Sequence, residues 1–186
     1  MGAFKPLLPW HGTTMSGTVV AKALEAGLAP ILVTGYQADA LEAAFTGTMD
    51  LLLVHNPDWE AGMVGSIQAG CRAALRRWPD LPGLLVTPAD MPALPVEAFS
   101  KLAAAGLAQS SARTEPTALF AAHNGKLGHP VWIPAGFMED ILALEQSGRL
   151  RDYLLTKSWV AVELGSDAIF LDLDTREDYL ANVVEG

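Results

Sequence analysis

Asp90 is the carboxylate whose place in the sequence is best suited to chemistry. It stands in the segment 88–92 (Pro-Ala-Asp-Met-Pro), directly after an apolar run that is typical of a strand. Ligands of open α/β sheets gather beyond the carboxyl ends of strands, and Mg²⁺ takes one or two protein carboxylates with water and phosphate oxygens. Asp90 is therefore a candidate metal ligand. The alternative, in which Asp90 only forms a turn or caps the next helix, stays open.

A second acidic group lies near the end of the sequence, in the segment 171–178. Asp172 and Asp174 alternate along an extended stretch, so their side chains would face the same way. We hypothesise that Asp90 and Asp174 hold one metal ion across a cleft, and the role of Asp172 stays open. The competing interpretation makes Asp174 a helix cap, because Glu177 follows three residues later.

Three basic or titratable residues are candidate contacts for a charged substrate. Lys5 lies in a turn-rich segment with two prolines and either binds phosphate or is a solvated surface charge. His129 stands between a glycine and a proline, which predicts a turn that aims the imidazole into a cleft, and the alternative is a purely structural histidine. Arg151, near the start of a predicted helix, either binds a substrate phosphate or stays hydrated on the surface.

The segment 56–67 joins a predicted strand to a predicted helix. Asn56, Gly62 and Ser66 could offer hydrogen bonds to a base or ribose, whereas the alternative has them form the turn and the helix cap. Cys71, in the helix that follows, is the single cysteine of the sequence, so an intramolecular disulfide or a multi-cysteine metal site is excluded. We expect a buried, inert thiol.

The elements that must position these residues alternate along the sequence. Alternation of strand and helix predicts an α/β fold with mostly parallel strands, right-handed crossovers and helices on both faces. We expect one domain, 1–186, in which the β-rich stretches 119–133 and 159–174 extend the sheet. Strands are predicted at residues 30–34, 51–54, 83–87, 131–133, 160–162 and 168–171, and helices at residues 15–26, 38–45, 62–78 and 96–107.

Composition narrows the class of partner. The formal net charge is −9, and a deficit of basic residues disfavours binding to nucleic acids. A nucleotide substrate remains possible, because a metal ion and backbone N–H groups can offset its phosphates. The sequence has neither a long apolar run nor the pattern of a secretory signal, so we expect no membrane partner and a cytoplasmic location.

Six segments, in order along the chain, resemble those of the molybdopterin nucleotidyltransferases, which are MobA-like NTP transferases. The similarity is strongest to their branch of molybdenum cofactor cytidylyltransferases. The resemblance implies a three-layer α/β/α, Rossmann-like fold that transfers CMP from CTP to molybdopterin, with Mg²⁺ as cofactor and pyrophosphate as product. The segments are 1–10 with Gly2 and Lys5, 33–36 with Gly35, 56–66, 90–92, 128–130 and 172–175.

The same resemblance implies roles for individual residues. Lys5 would face the nucleotide phosphates, Asp90 would bind Mg²⁺, Asp174 would complete the metal site, and the segment around His129 would border the pterin. A molybdenum hydroxylase or dehydrogenase is the implied recipient of the product. The other expected contacts with nucleotide or molybdenum cofactor are Gly2, Gly35, Asn56, Gly62, Ser66 and Arg151.

The sequence departs from the family pattern at three places. The family has a strand and a glycine-rich phosphate loop ahead of its Met-Gly pair, and this sequence starts at that pair, so we expect a chain truncated relative to the family. Arg176 replaces a proline, and Ser147 replaces an acidic residue. Two alternatives remain: a noncatalytic protein that binds and delivers the molybdenum cofactor, and a nucleotidyltransferase that uses GTP or another phosphorylated acceptor.

Overall fold

The computed structural model describes residues 4–112, 115–171, 173 and 175–183. No helix within these residues is long and apolar enough to cross a membrane. Their strands are β1 (Pro9–Trp10), β2 (Thr13–Thr14), β3 (Ile31–Thr34), β4 (Leu52–His55), β5 (Gly83–Val86), β6 (Ala118–His123), β7 (Lys126–Pro134) and β8 (Trp159–Glu163). Their α-helices are α1 (Met15–Glu25), α2 (Ala38–Ala44), α3 (Met63–Arg77), α4 (Val96–Ser111), α5 (Met138–Leu142), α6 (Leu150–Leu155) and α7 (Arg176–Val183).

The four predicted helices and five of the six predicted strands are confirmed. The prediction of a strand at residues 168–171 is wrong, because this run belongs to a 3₁₀ helix, Asp167–Phe170. The hydroxyl of Ser166 caps that helix by accepting a hydrogen bond from the backbone N–H of Ala168 at 3.2 Å. A short apolar run fits a buried helical turn as well as a strand, so its pattern alone could not decide.

The strands form three hydrogen-bonded groups. Strands β3 and β4 pair in parallel, β1 and β2 form a small antiparallel pair, and the largest sheet has the order β5-β7-β6-β8. Strand β7 runs antiparallel to both β5 and β6, and β8 runs parallel to β6. Strands β5, β6 and β8 therefore share one direction and β7 opposes them, which agrees with the predicted α/β class.

Helices cover the two faces of this sheet. On one face, α1 and α4 pack in a core cluster with Leu85 and Ala121. On the other face, α3, α5 and α6 pack in a second cluster with Leu84, Val86 and Phe120. Because alternate residues of β5 belong to different clusters, the sheet lies between two helical layers.

A cavity of about 800 Å³ separates β3 from β5, and we call it the central cavity. Residues 31–33 of β3 and 83–86 of β5 line it, together with apolar side chains of α1 and α3. Within the described residues, β3 and β5 belong to different sheets. The middle layer of the fold is therefore interrupted at this point.

Candidate functional site

Lys5 and Asp90 meet beyond the carboxyl end of β5. The Lys5 Nζ atom lies 4.0 Å from Asp90 Oδ2, and the two side chains are 22% and 29% exposed. Asp90 stands in a turn after the strand, as the strand-end argument predicts. Helix α4 has Pro95 as its N-cap, so the helix-capping interpretation of Asp90 is wrong. Both charges remain accessible to a ligand.

A partly buried hydrogen bond holds the segment that carries Lys5 in place. This segment is a 3₁₀ helix, Lys5–Leu7, and the carbonyl of Pro6 accepts a hydrogen bond from Ser16 Oγ at 2.7 Å. Ser16 is fully buried in the first turn of α1. Sequence reasoning missed Ser16, although a serine at the start of an apolar helix face was a usable signal.

A second contact from α1 fastens the segment that carries Asp90. The Lys22 ammonium donates a hydrogen bond to the carbonyl of Pro92 at 2.7 Å. Partial burial lowers the pKa of Lys22, although Glu25 and Glu97 act in the opposite direction. Sequence reasoning missed this lysine as well, because its partner lies 70 residues away in the sequence.

Asn56 is buried, and its side-chain amide forms hydrogen bonds with other groups of the protein. Its Nδ2 donates to Ser66 Oγ at 3.0 Å, and its Oδ1 accepts from the backbone N–H of Asp58 at 3.2 Å. The bond from Asp58 is the one that the turn interpretation expects of Asn56. Ser66 also lines the central cavity, so its contact with a ligand stays a prediction.

Gly62 begins helix α3 as its N-cap, with φ of 131°. A Cβ atom built there would lie 2.5 Å from the carbonyl oxygen of Gln146. The glycine therefore lets the loop at residues 146–149 approach the start of α3. Gly148 and Arg149 of this loop line the central cavity.

Gly35 follows β3 and supports an aromatic group beside Lys5. A Cβ atom on Gly35 would lie 2.5 Å from the Cβ of Trp59. The ring of Tyr36 lies 5.3 Å from that of Trp59 and 5.7 Å from that of Phe4, measured between centroids. Tyr36 is 54% exposed, and sequence reasoning did not single it out.

The prediction of a turn at residues 128–130 is wrong, because these residues lie within β7. The pairing with β6 passes from Val131 to Gly128 and leaves His129 and Pro130 out of register, which makes a β-bulge, and the His129–Pro130 peptide is cis. Glycine and proline are as typical of a bulge as of a turn, so the sequence could not separate the two.

His129 still lies near Asp90, whose charge acts to raise its pKa, and it lines the central cavity. Burial lowers its pKa, and a hydrogen bond involving the Val86 backbone acts in the opposite direction. Its Nδ1 atom is buried and has no hydrogen-bond partner among the described residues. An unpaired buried polar atom costs free energy, so this nitrogen would be stabilised by any ligand that reached it.

Arg151 lies in the first turn of α6, where its Nη1 donates to the carbonyl of Leu127 at 3.2 Å. Its side chain is exposed, as the surface interpretation expects, and it also lines the central cavity. Three predicted site residues, Gly2, Asp172 and Asp174, lie outside the described residues. Leu173 is described and fully buried.

The chain is similar to several known proteins. Molybdenum cofactor cytidylyltransferase of Escherichia coli (strain K12) is 29% identical over 180 residues, which are 97% of this chain and 87% of that protein. A nucleotidyl transferase from Methanothermobacter thermautotroptrophicus has a TM-score of 0.78 at 22% identity and covers 98% of this chain and 85% of its own. Rv0371c from Mycobacterium tuberculosis H37Rv, in complex with manganese, has a TM-score of 0.73 at 22% identity, with coverage of 98% and 93%. Since residues 1–162 also match the MobA-like NTP transferase domain, this chain belongs to that family.

Proposed function

We propose that this chain transfers the CMP group of CTP to molybdopterin and releases pyrophosphate. The observation that carries the proposal is the pairing of Lys5 and Asp90 beyond the carboxyl end of β5, in a chain of an NTP transferase family. The choice of CTP and molybdopterin rests on the Escherichia coli relative, which is a molybdenum cofactor cytidylyltransferase.

The proposed reaction is a single in-line displacement at phosphorus. A phosphate oxygen of molybdopterin attacks the α-phosphorus of CTP, and a new P–O bond forms. The bond from the α-phosphorus to the bridging oxygen breaks, and pyrophosphate leaves with that electron pair. The Lys5 ammonium stabilises negative charge on the leaving phosphates, and no protein nucleophile is needed.

Asp90 fits Mg²⁺ as a protein ligand, because this ion keeps several waters and takes substrate phosphate oxygens. Among the described residues, no three or more His, Cys, Asp or Glu side chains form a group that could hold a metal ion. We propose Asp174 as the second carboxylate, supported by the burial of its neighbour Leu173 in an apolar cluster with Trp10, on which Ala93 also packs. When bound, Mg²⁺ would neutralise charge on the phosphates.

The remaining predicted contacts are proposed on their positions. His129, Ser66 and Arg151 line the central cavity, where they could contact the pterin or the nucleotide. Gly35 and Gly62 act through the close approach of their neighbours, Trp59 and the loop at residues 146–149. A molybdenum hydroxylase or dehydrogenase is the proposed recipient of the product.

The test is CTP turnover with molybdopterin and Mg²⁺, compared between Asp90→Asn and Asp140→Asn. Asp140 is the matched control, because its exposed carboxylate also forms an ion pair with a lysine, Lys157 Nζ at 2.8 Å. We expect Asp90→Asn to lower kcat/KM at least about 100-fold, the range seen when one electrostatic contact to a transition state is lost. Asp140→Asn should stay within about twofold of the parent, since exposed ion pairs contribute little.

Three outcomes would overturn the proposal. Equal loss of activity in both variants would remove the special role of Asp90. Turnover of GTP as fast as CTP would replace the proposed nucleotide. Tight binding of molybdopterin without Mg²⁺-dependent binding of CTP would favour the noncatalytic delivery protein.

A further inference from the structure

Residues 143–149 join helices α5 and α6, and we call them the α5–α6 loop. This loop lies against the start of helix α3, where two glycines face it. A Cβ atom on Gly62 would lie 2.5 Å from the carbonyl oxygen of Gln146, and one on Gly65 would lie 3.4 Å from the side-chain Cδ of Gln146. The two glycines therefore make room for the loop beside α3.

Gln68 fixes the beginning of the α5–α6 loop by hydrogen bonds. It follows Gly65 by three residues, so the two lie on the same face of α3. Its Nε2 donates to the backbone carbonyls of Ile141 at 3.0 Å and Leu144 at 2.9 Å, and it lies 3.4 Å from the carbonyl oxygen of Leu142. The side chain is only 2% exposed. Because buried carbonyl groups need partners, Gln68 determines the path of the chain as it leaves α5.

The end of the α5–α6 loop is held as well. The backbone N–H of Gly148 donates to the carbonyl of Glu145 at 3.0 Å, which closes a tight turn. Leu144 before this turn and Leu150 after it pack against the same core cluster. Arg149 therefore lies between two anchored positions, so the backbone limits where its side chain can reach.

Arg149 brings a positive charge to the central cavity. It is exposed and lines that cavity together with Arg151. Within the described part of the chain, the Arg149 guanidinium has no ion pair or hydrogen bond. Burial has the largest effect on the pKa of His129, and the charges of Arg151 and Asp90 act on it in opposite directions. The start of α6 is therefore near His129, on the side expected to border the acceptor.

We propose that Arg149 binds an anionic group of the acceptor, and that Gln68 is the positioning residue that holds Arg149 in place through the α5–α6 loop. Arginine suits this contact, because its planar guanidinium can donate two parallel hydrogen bonds to one phosphate. The inference rests on the proposed function, in which the acceptor is molybdopterin. The nucleotide phosphates are assigned there to Lys5 and the metal ion, so loss of Arg149 should affect the two substrates differently.

The test measures KM for molybdopterin and KM for CTP in Arg149→Gln, in Gln68→Met and in the double variant. We expect KM for molybdopterin to rise about 10-fold in Arg149→Gln and about 3- to 10-fold in Gln68→Met, because a charge-assisted contact is lost or misplaced. KM for CTP should stay close to that of the parent. The double variant should be no worse than Arg149→Gln, since Gln68 acts through Arg149. Arg76→Gln is the matched control, because Arg76 is an exposed arginine at the other end of α3.

Two further measurements separate positioning from a general loss of stability. Gln68→Lys should have a lower KM for molybdopterin than Gln68→Met, because an ammonium group has three donors for the three carbonyl oxygens. Hydrogen exchange of the backbone amides at residues 143–149 reports on the loop without any turnover. It should be faster in Gln68→Met than in the parent, since the loop loses its hydrogen bonds to α3.

The outcomes distinguish this inference from the proposed function. An unchanged KM for molybdopterin in Arg149→Gln would overturn the inference and leave the proposed function intact. A double variant that multiplies the two single effects would remove the positioning role of Gln68. A parent that binds molybdopterin without turning over CTP would overturn the proposed function, and the dissociation constants of molybdopterin would then decide the role of Arg149. A parent that binds no molybdopterin would overturn both.

Discussion

Replacing Ser16 with alanine removes the hydroxyl that binds the carbonyl of Pro6 at 2.7 Å. Ser16 is fully buried, so the Pro6 carbonyl loses a partner that water cannot easily replace. A buried group left without its hydrogen bond costs about 1 to 3 kcal/mol, and we take about 1 to 2 kcal/mol for this partly exposed carbonyl. For a chain of this length each kcal/mol lowers Tm by about 2 to 4 °C, so we expect a fall of about 2 to 8 °C.

The assay is thermal unfolding of Ser16→Ala beside Thr18→Ala. Thr18 is the matched control, because its hydroxyl binds the carbonyl of Thr14 within the first turns of the same helix. We also expect Ser16→Ala to raise KM for the nucleotide, since the segment that carries Lys5 loses its anchor. An equal or larger loss of Tm in Thr18→Ala would refute the argument that Ser16 holds this segment in place.

Three further predictions follow from contacts described above. Gly62→Ala should lower the free energy of unfolding by about 1 to 3 kcal/mol, because its Cβ would meet the carbonyl oxygen of Gln146; denaturant titration checks this. Burial lowers the pKa of His129, so the unfolded chain binds a proton more readily, and stability should fall as pH drops below about 6.5. The Tm of His129→Gln should fall less between pH 7 and pH 5.5 than that of the parent chain. An identical fall in both proteins would contradict the attribution of this pH dependence to His129. Burial raises the pKa of Cys71 to about 11, so iodoacetamide at pH 8 should label the native protein far more slowly than the unfolded one; mass spectrometry measures both.

The sequence correctly predicted that Asp90 lies just beyond the carboxyl end of a strand. An apolar run followed by Pro-Ala-Asp leaves little choice about where the strand ends, and β5 does end just before this segment. The same reasoning could not decide between a turn and a bulge at His129, because the register shift depends on how β6 pairs with β7. Local sequence patterns describe one strand at a time, and a bulge is a property of two.

Local sequence patterns could not predict the contacts that hold the site in place. Ser16 and Lys22 act on carbonyl groups of Pro6 and Pro92, and backbone carbonyls carry no sequence signal. Nor could Gly35 be explained before Trp59 was seen to lie over it. These interactions depend on tertiary approach, so sequence reasoning found the candidate site residues more readily than the residues that support them.

Helix α1 sets the spacing between the two segments that carry the charges of the candidate site. Ser16 fixes the segment of Lys5 and Lys22 fixes the segment of Asp90, and both anchors sit on the same uninterrupted helix. One residue inserted between the anchors would shift one relative to the other by about 1.5 Å along the axis and about 100° around it. The distance between the Lys5 and Asp90 charges thus depends on the number of helical residues between Ser16 and Lys22. Insertions or deletions should be tolerated before Ser16 or after Lys22 far better than between them.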